Sequence, residues 1–315
     1  MPVPSTALVR KAKPKILMIF GPTASGKSGL ALKLAKHLNG LIVNADSRQI
    51  YAETPILTAC PSQADYKEVP HALYEFLPLK ARFSAAEYAD KATQVIEKAL
   101  MDGFLPIVVG GTGFYIRALL GGLSKIPASD TKVEAEVLAM PQAARYAELG
   151  RVDPEAVTRL HENDTQRVVR ALVVWRQTGK ALSTWQIGGQ TAELPWEVLK
   201  IGLMPPREVL HANIAKRRRE IMPALGLVDE LKILLSKGYT GEEAGLKGLA
   251  NAVLLDYART GTPAWDDVIQ KAIEADRQYA KRQCTWLKNS YEADLLLESP
   301  ALDAALPEVM AFLQR

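Results

Sequence analysis

Cysteine is scarce: the 315-residue chain has two, Cys60 and Cys284. They lie far apart in no paired spacing, so no disulfide framework follows, which suits a reducing compartment. Histidine is sparse too. His37, His71, His161 and His211 include no i, i+4 pair, and no zinc site with the familiar ligand spacings can be written. There is no run of about twenty apolar residues, so no transmembrane helix is expected. The basic opening MPVPSTALVRKAKPK contains no apolar run long enough for a signal peptide, and its fifteen residues are expected to fray. These absences point to a cytoplasmic chain. Charge of one sign is not in large excess: 39 Lys and Arg against 35 Asp and Glu leave +4. An excess this small implies no nucleic-acid partner by itself, so the placement of the basic residues matters more. Repeats and low-complexity tracts are also missing. What is present is apolar material, 48% of residues, with 23% charged, which supports a sizeable core and argues against a disordered or fibrous chain. At roughly 150 residues per domain, two domains are expected.

Residues 15–20 (KILMIF) form a short continuous apolar run, the pattern of a strand buried on both faces. After a glycine-punctuated loop, Leu30, Ala31, Leu34, Ala35 and Leu38 recur at helical spacing, and Asn39-Gly40 supplies a stop. Residues 41–45 (LIVNA) are a second apolar strand, and a βαβ unit makes the two strands parallel. Residues 84–100 read as a helix opened by a capping box of Ser84 and Glu87. Residues 106–109 (PIVV) are another buried strand that breaks at Gly110-Gly111-Thr112-Gly113, with a helix over 114–120. To about residue 122 this is a doubly wound α/β core. Patterns over 129–186 are helical, including an amphipathic stretch at 167–177. Residues 187–196 are punctuated by Gly and Pro, 198–204 are a returning strand, and 207–315 are mostly helical.

Gly21-Pro22-Thr23-Ala24-Ser25-Gly26-Lys27-Ser28 fits G-x-x-x-x-G-K-[ST], with a buried strand before it and a helix after it. Its glycines let backbone N–H groups turn inward to cradle an anion, and the helix N-terminus adds positive potential. Lys27 supplies a point charge for terminal phosphates, and the Ser28 hydroxyl can ligate Mg²⁺. The expected fold is therefore a P-loop NTPase-like core, a parallel sheet flanked by helices (residues 1–125 and 201–315), plus an all-helical insertion domain (126–200). The loop leaves its ligand open between a nucleoside triphosphate and another diphosphate. No guanine-type N-K-x-D is present, and the strand before Gly110 ends in glycines rather than an acid.

Asp46 closes the second strand, in the run Asp46-Ser47-Arg48-Gln49. Ligands of open α/β sheets bind outside the carboxyl ends of strands, which sets Asp46 beside the phosphate loop as a general base or an indirect Mg²⁺ ligand. An N-cap role for it is equally open. Gly110 to Gly113 face the same crevice, either as a tight turn or as a close approach to a ligand in which Thr112 donates a hydrogen bond. Basic residues cluster at Arg167, Arg170, Arg176 and Lys180, at Lys216 to Arg219, and at Arg277, Lys281, Arg282 and Lys288 interleaved with Tyr279 and Trp286. Each is either a solvated helix face or a patch for an RNA backbone and its stacked bases.

Taken in order, GPTASGKS (21–28), NADSRQIY (44–51), PHALYEF (70–76), FSAAEYAD (83–90), PIVVGGTGFYIRALLGGLS (106–124), NDTQRVVRAL (163–172) and RQYAKRQCTWLKN (277–289) resemble the tRNA dimethylallyltransferases over nearly the whole chain. The resemblance implies transfer of a dimethylallyl group from dimethylallyl diphosphate to N6 of the adenosine immediately 3′ of the anticodon, with Mg²⁺. It implies Asp46 as the base at N6, with Thr23 and Thr112 in the catalytic site, and Gly21, Pro22, Thr23, Ala24, Ser25, Gly26, Lys27 and Ser28 on the diphosphate. The magnesium would sit on Ser28. Contacts to the tRNA anticodon stem-loop would come from Asp46, Ser47, Arg48, Gln49 and Thr112, and from Gln166, Arg167, Val168, Val169 and Arg170. A monomer is expected. A small-molecule P-loop kinase, using Asp46 to activate a hydroxyl, is the alternative; it leaves the basic clusters and the insertion unexplained.

The chain departs from the family pattern in three places. Where the family has a Met-Asp-x-Gly-Thr-Ala-Lys-Pro-like run, residues 54–62 read TPILTACPS and keep only Ala59 and Pro61, leaving the Thr and Lys of that run without counterparts. A Gly-Tyr turn is altered to KGLAN at 247–251. The threonine before the Arg-x-Tyr-Ala-Lys-Arg-Gln run is Asp276.

Overall fold

The computed structural model describes residues 12–124, 126–187, 193–248 and 250–315. The expected frayed tail lies outside the described residues as far as residue 11, and so do residues 188–192 of the Gly- and Pro-punctuated stretch. In chain order the elements are β1 (Lys15–Phe20), α1 (Lys27–Leu38), β2 (Gly40–Asn44), α2 (Pro55–Thr58), α3 (Gln63–Glu68), β3 (His71–Ala72), α4 (Ala85–Met101), β4 (Leu105–Gly110) and α5 (Gly113–Leu119). Helices α6 (Thr131–Ala139), α7 (Gln142–Val152), α8 (Pro154–Val157), α9 (Thr165–Thr178) and α10 (Leu182–Ile187) follow. The chain ends with β5 (Glu197–Leu203), α11 (Arg207–Lys216), a π-helical turn (Arg217–Ile221), α12 (Met222–Ala224), α13 (Leu227–Ser236), α14 (Asn251–Thr260), α15 (Trp265–Ser290), β6 (Leu295–Leu297) and α16 (Leu302–Gln314).

Six strands form one sheet in the order β3-β2-β4-β1-β5-β6, and every pairing is parallel. Alternation along the strands explains how each face is covered. Leu17, Ile19, Ile42, Ile107, Val109, Ile201 and Leu203 join Leu30 and Leu34 of α1 and Ala305 and Val309 of α16 in one cluster. Ile16, Met18, Val43 and Val108, the alternate residues, are also fully buried. A parallel strand covered on both faces must be apolar throughout, which is why KILMIF and PIVV read as unbroken runs. Helix α1 ends at Asn39, whose left-handed backbone (φ 49°) sends its N–H to Ala35 O and turns the chain into β2. Ser84 and Glu87 exchange both bonds of the expected capping box.

Two strands were not legible as apolar runs. β3 has two residues, and β6 lies within the stretch read as mostly helical. The returning strand opens at Glu197, inside the span assigned to the insertion.

The chain divides into two compact units. One comprises Met1–Phe83, Ala89–Ile116 and Pro195–Arg315; the other comprises Ser84–Tyr88 and Arg117–Leu194. The second has its own core of Val137, Leu149, Ala156, Val168, Val169, Ala171, Leu172 and Val173. Among the described residues no helix is long and apolar enough to cross a membrane.

Ile107 is fully buried at the middle of the sheet, so Ile107→Ala is expected to cost about 2–5 kcal/mol, read as a lowered urea midpoint. Gly110→Ala should be worse, because the added Cβ would fall on the Ala45 carbonyl of the neighbouring strand; loss of a cooperative thermal transition is the expected observation.

Candidate functional site

The phosphate loop fills the turn between β1 and α1. Ala24 (φ 61°) and Gly26 (φ 92°) both have left-handed backbone, the conformation that turns successive N–H groups toward one side. Gly26 is the N-cap of α1 and no side chain caps it, so the first amides of the helix are left for a ligand. The Ser25 hydroxyl is buried without a partner among the described residues, the mark of a polar group that a ligand satisfies. Lys27 is buried, with Nζ donating to Pro22 O at 3.2 Å. Burial pushes its pKa down to about 8; the Asp46 charge resists the shift and the Arg217 charge adds to it.

The end of β2 is clamped by Asn44, a fully buried side chain whose Oδ1 accepts from Asp46 N and whose Nδ2 donates to Asp46 O and Leu73 O. Asp46 Oδ1 accepts from Arg48 N at 2.9 Å. No helix starts at this point, so the N-cap alternative is not realised: the carboxylate closes a local turn, and its other oxygen accepts no hydrogen bond from the described residues. Thr112 Oγ1 accepts from Ser47 N at 2.9 Å and donates to Ser47 Oγ at 3.2 Å, tying the two strand ends together. The Tyr279 hydroxyl is hydrogen-bonded to Thr112; burial first, and then the Asp46 charge, push its pKa up. The glycines around Thr112 serve packing. A Cβ on Gly110, Gly111 or Gly113 would meet Ala45, Gln283 or Trp286, so these residues allow close approach of the protein's own chain rather than of a ligand.

Side chains from the C-terminal half complete the site. Gln283, buried on α15, accepts from Thr23 N at 2.8 Å through Oε1 and donates to Gly111 O at 2.9 Å through Nε2. Arg217 donates to Thr23 Oγ1 at 2.9 Å and to Asp276 Oδ2 at 3.1 Å. Arg218, 2% exposed, grips both oxygens of Asp276, at 2.8 and 3.0 Å. Burial alone would raise the Asp276 pKa, but the two guanidinium charges and their hydrogen bonds outweigh it and hold the carboxyl below its ordinary value. Both arginines face α15 because the helix widens into a π turn at Arg217–Ile221, a distortion that often marks functional positions.

Thr23, Asp46, Arg48, Thr58, Arg217 and Tyr279 line one pocket. Ser28 instead is exposed and opens onto a second pocket with Cys60, Asp65, His71 and Tyr74. Thr58, directly before Ala59, stands where the family run has threonine, so of that run's Thr and Lys it is the lysine that lacks a counterpart, its place taken by Cys60. Burial pushes the Cys60 thiol up to about 12, so it is neutral where the run carries a cation. Glu230 holds this segment by accepting from Ile56 N and Leu57 N, both at 2.8 Å. Gln49 donates to Ala59 O at 2.6 Å, and Arg48 reaches Gly245 O at 3.5 Å.

On α9, Val168 and Val169 are core residues, so their side chains are closed to RNA, contrary to expectation. Arg170 is engaged with Ser129 Oγ and Pro127 O, whereas Gln166 and Arg167 are exposed. The run at 216–219 is a solvated face only in part: Lys216 and Arg219 are exposed, whereas Arg218 is buried and Arg217 lines the pocket. Asp276 and Gln283 escaped notice as site residues. The available signal was two polar residues on the stripe of Ile269, Ile273, Ala280 and Leu287, the buried face of α15.

A phosphate-loop motif between a strand and a helix of a parallel sheet, with a carboxylate at the end of the next strand, defines a P-loop-like fold. Residues 49–290 match the family model described as IPP transferase, and the chain belongs to that family. It is 39% identical to tRNA dimethylallyltransferase 2 of Geotalea uraniireducens over 284 residues, 89% of this chain and 91% of the relative. The crystal structure of the tRNA isopentenylpyrophosphate transferase of Bacillus halodurans superposes with a TM-score of 0.66 at 31% identity, covering 96% of both chains. A eukaryotic dimethylallyltransferase acting on tRNA shares the fold, with a TM-score of 0.81 at 24% identity over 96% of this chain and 80% of that one.

Because Lys27 loses its proton near pH 8, binding of an anion there requires proton uptake at higher pH. Affinity for inorganic diphosphate is expected to fall as pH rises through about 8 in the native protein, and to fall less in Lys27→Arg, whose charge persists; titration calorimetry across that range checks it.

Proposed function

We propose that this protein transfers a dimethylallyl group from dimethylallyl diphosphate to N6 of the adenosine 3′-adjacent to the anticodon of tRNA, releasing diphosphate. The observation that carries the reading is one pocket in which a free carboxylate oxygen of Asp46 faces the same space as Thr23 of the phosphate loop and Arg217. The family relatives named for this activity support it. In the reaction the allylic C–O bond breaks, a C–N bond forms at N6, and the N6 proton leaves to Asp46. The amine is a weak nucleophile because its lone pair is delocalised into the ring, so a base that accepts its proton restores reactivity. Loop amides, Lys27 and Arg217 take up the negative charge that grows on the departing diphosphate. The adenine leaves its stack to reach the pocket.

Magnesium fits the donor set. Among the described residues no cluster of His, Cys, Asp or Glu can hold a metal alone. Magnesium, however, characteristically binds through one or two protein oxygens plus substrate phosphates and water. The Ser28 hydroxyl would hold it against the diphosphate, where it supplies charge neutralisation. The helical insertion (126–200) contacts the anticodon stem through Gln166 and Arg167, and the chain acts as a cytoplasmic monomer. The kinase alternative is not favoured, since the family relatives are transferases of a prenyl group.

Asp46→Asn keeps an oxygen for Arg48 N and so preserves the turn. It is expected to lower kcat by ~10²–10⁴ while tRNA binding persists; mass analysis of tRNA nucleosides and a filter-binding assay separate the two, and near-normal turnover would remove Asp46 as the base. Arg167→Ala is expected to weaken tRNA binding and reduce the salt slope by about one; an unchanged slope would locate the RNA elsewhere.

A further inference from the structure

The triad Arg217–Asp276–Arg218 contains more charge than anchoring one arginine requires. A single carboxylate facing a single guanidinium makes a neutral pair, and a neutral pair beside the phosphate loop attracts no anion. Here Asp276 is 2% exposed and gives two of its three bonds to Arg218, which lies as deep as it does. Arg217 shares only Oδ2, at 3.1 Å. Its second anchor is neutral, the Thr23 hydroxyl at 2.9 Å. Arg217 Nε is buried with no partner among the described residues. The three charges sum to one positive charge. Because Arg218 is the better satisfied of the two arginines, that surplus sits on Arg217, at the pocket.

We propose that Asp276 and Arg218 are a positioning pair: Asp276 fixes Arg217 against Thr23, and Arg218 cancels the charge of Asp276 so that Arg217 remains cationic toward the diphosphate. This rests on reading the pocket as a diphosphate site. The proposal accounts for the π turn, which brings consecutive arginines to one carboxylate. It also gives a role to Asp276, which stands where the resembled family run has threonine. The lowered pKa of Asp276 agrees with a carboxylate held ionised between two cations.

The test is a cycle of four proteins: wild type, Arg218→Met, Asp276→Thr and the double variant. Inorganic diphosphate binding is measured by calorimetry, the KM for donor and kcat by turnover, and the fold by circular dichroism. Arg218→Met leaves Asp276 to neutralise Arg217, and is expected to weaken diphosphate binding and raise the donor KM by about tenfold or more with a smaller change in kcat. The double variant restores the surplus charge but not the anchor, and is expected to recover part of the loss, binding diphosphate more tightly than Arg218→Met. A purely structural role predicts the opposite, a double variant no better than Arg218→Met; that result, or unaltered binding in Arg218→Met, overturns the proposal. Should Arg218→Met fail to fold, Arg218→Gln decides in its place: it keeps an amide to donate to Asp276 but no charge, so diphosphate binding must weaken, and unaltered binding overturns the proposal. Wild type that does not bind diphosphate would sink the reading of the site itself, and the proposal with it.

Discussion

A loop that offers N–H groups to an anion leaves most of them unpaired, so its own backbone bonds, here Ser25 N to Pro22 O, do little to fix its shape. In this protein the constraint is met from outside the loop. Asn213 donates to Ala24 O, Arg217 to Thr23 Oγ1, and Gln283 accepts from Thr23 N. Gln283 goes further by donating to Gly111 O, which fixes the separation of the loops that follow β1 and β4. Removing such a buried amide would leave two backbone groups unsatisfied as well as the loop unsupported. Its geometry matters more than its energy, because in the proposed reaction a base at the end of β2 and a leaving group on the loop serve one bond-forming step only when held at a fixed distance.

The electrostatics follow from the same crowding. Lys27, Arg217, Arg218 and Asp276 are buried or nearly so, which makes each charge costly unless its partners are close. The structure resolves this by dividing the labour. Arg218 and Asp276 satisfy each other, Lys27 rests on a carbonyl with a depressed pKa, and Arg217 is left under-satisfied beside the pocket. A site whose cations are poorly compensated in the free protein gains most when an anion enters, since the anion supplies what the fold withholds.

How far the sequence shows this depends on the range of the interactions. The phosphate loop and its flanking strand and helix were legible because all the determinants lie within about two dozen residues: an apolar run, a spaced pair of glycines, and a 3.6-residue repeat. The Ser84 box and the Asn39 stop were legible for the same reason. β3 and β6 were not, because strands of two and three residues carry too few side chains to establish a period. The local turn at Asp46 could equally have been a helix cap, and only the path of the following chain decides. Val168 and Val169 sit in a motif that resembles an RNA-contacting segment, yet their burial is set by packing in the helical unit, which no motif encodes. Asp276 and Gln283 were visible only as polar interruptions of an apolar stripe; what they touch depends on residues far off in the chain.

That remoteness has a consequence for how the protein comes into being. Thr23 and Gln283 are separated by 260 positions, and Thr23 and Arg217 by 194. During synthesis the nascent polypeptide exposes its anion-gripping turn early, long before either prop has left the ribosome. Competence therefore arrives late: a product halted ahead of α15 retains the most recognisable stretch of the chain, and Asn213 and Arg217 with it, but lacks Gln283, which ties the loop to Gly111, and Asp276, which anchors Arg217.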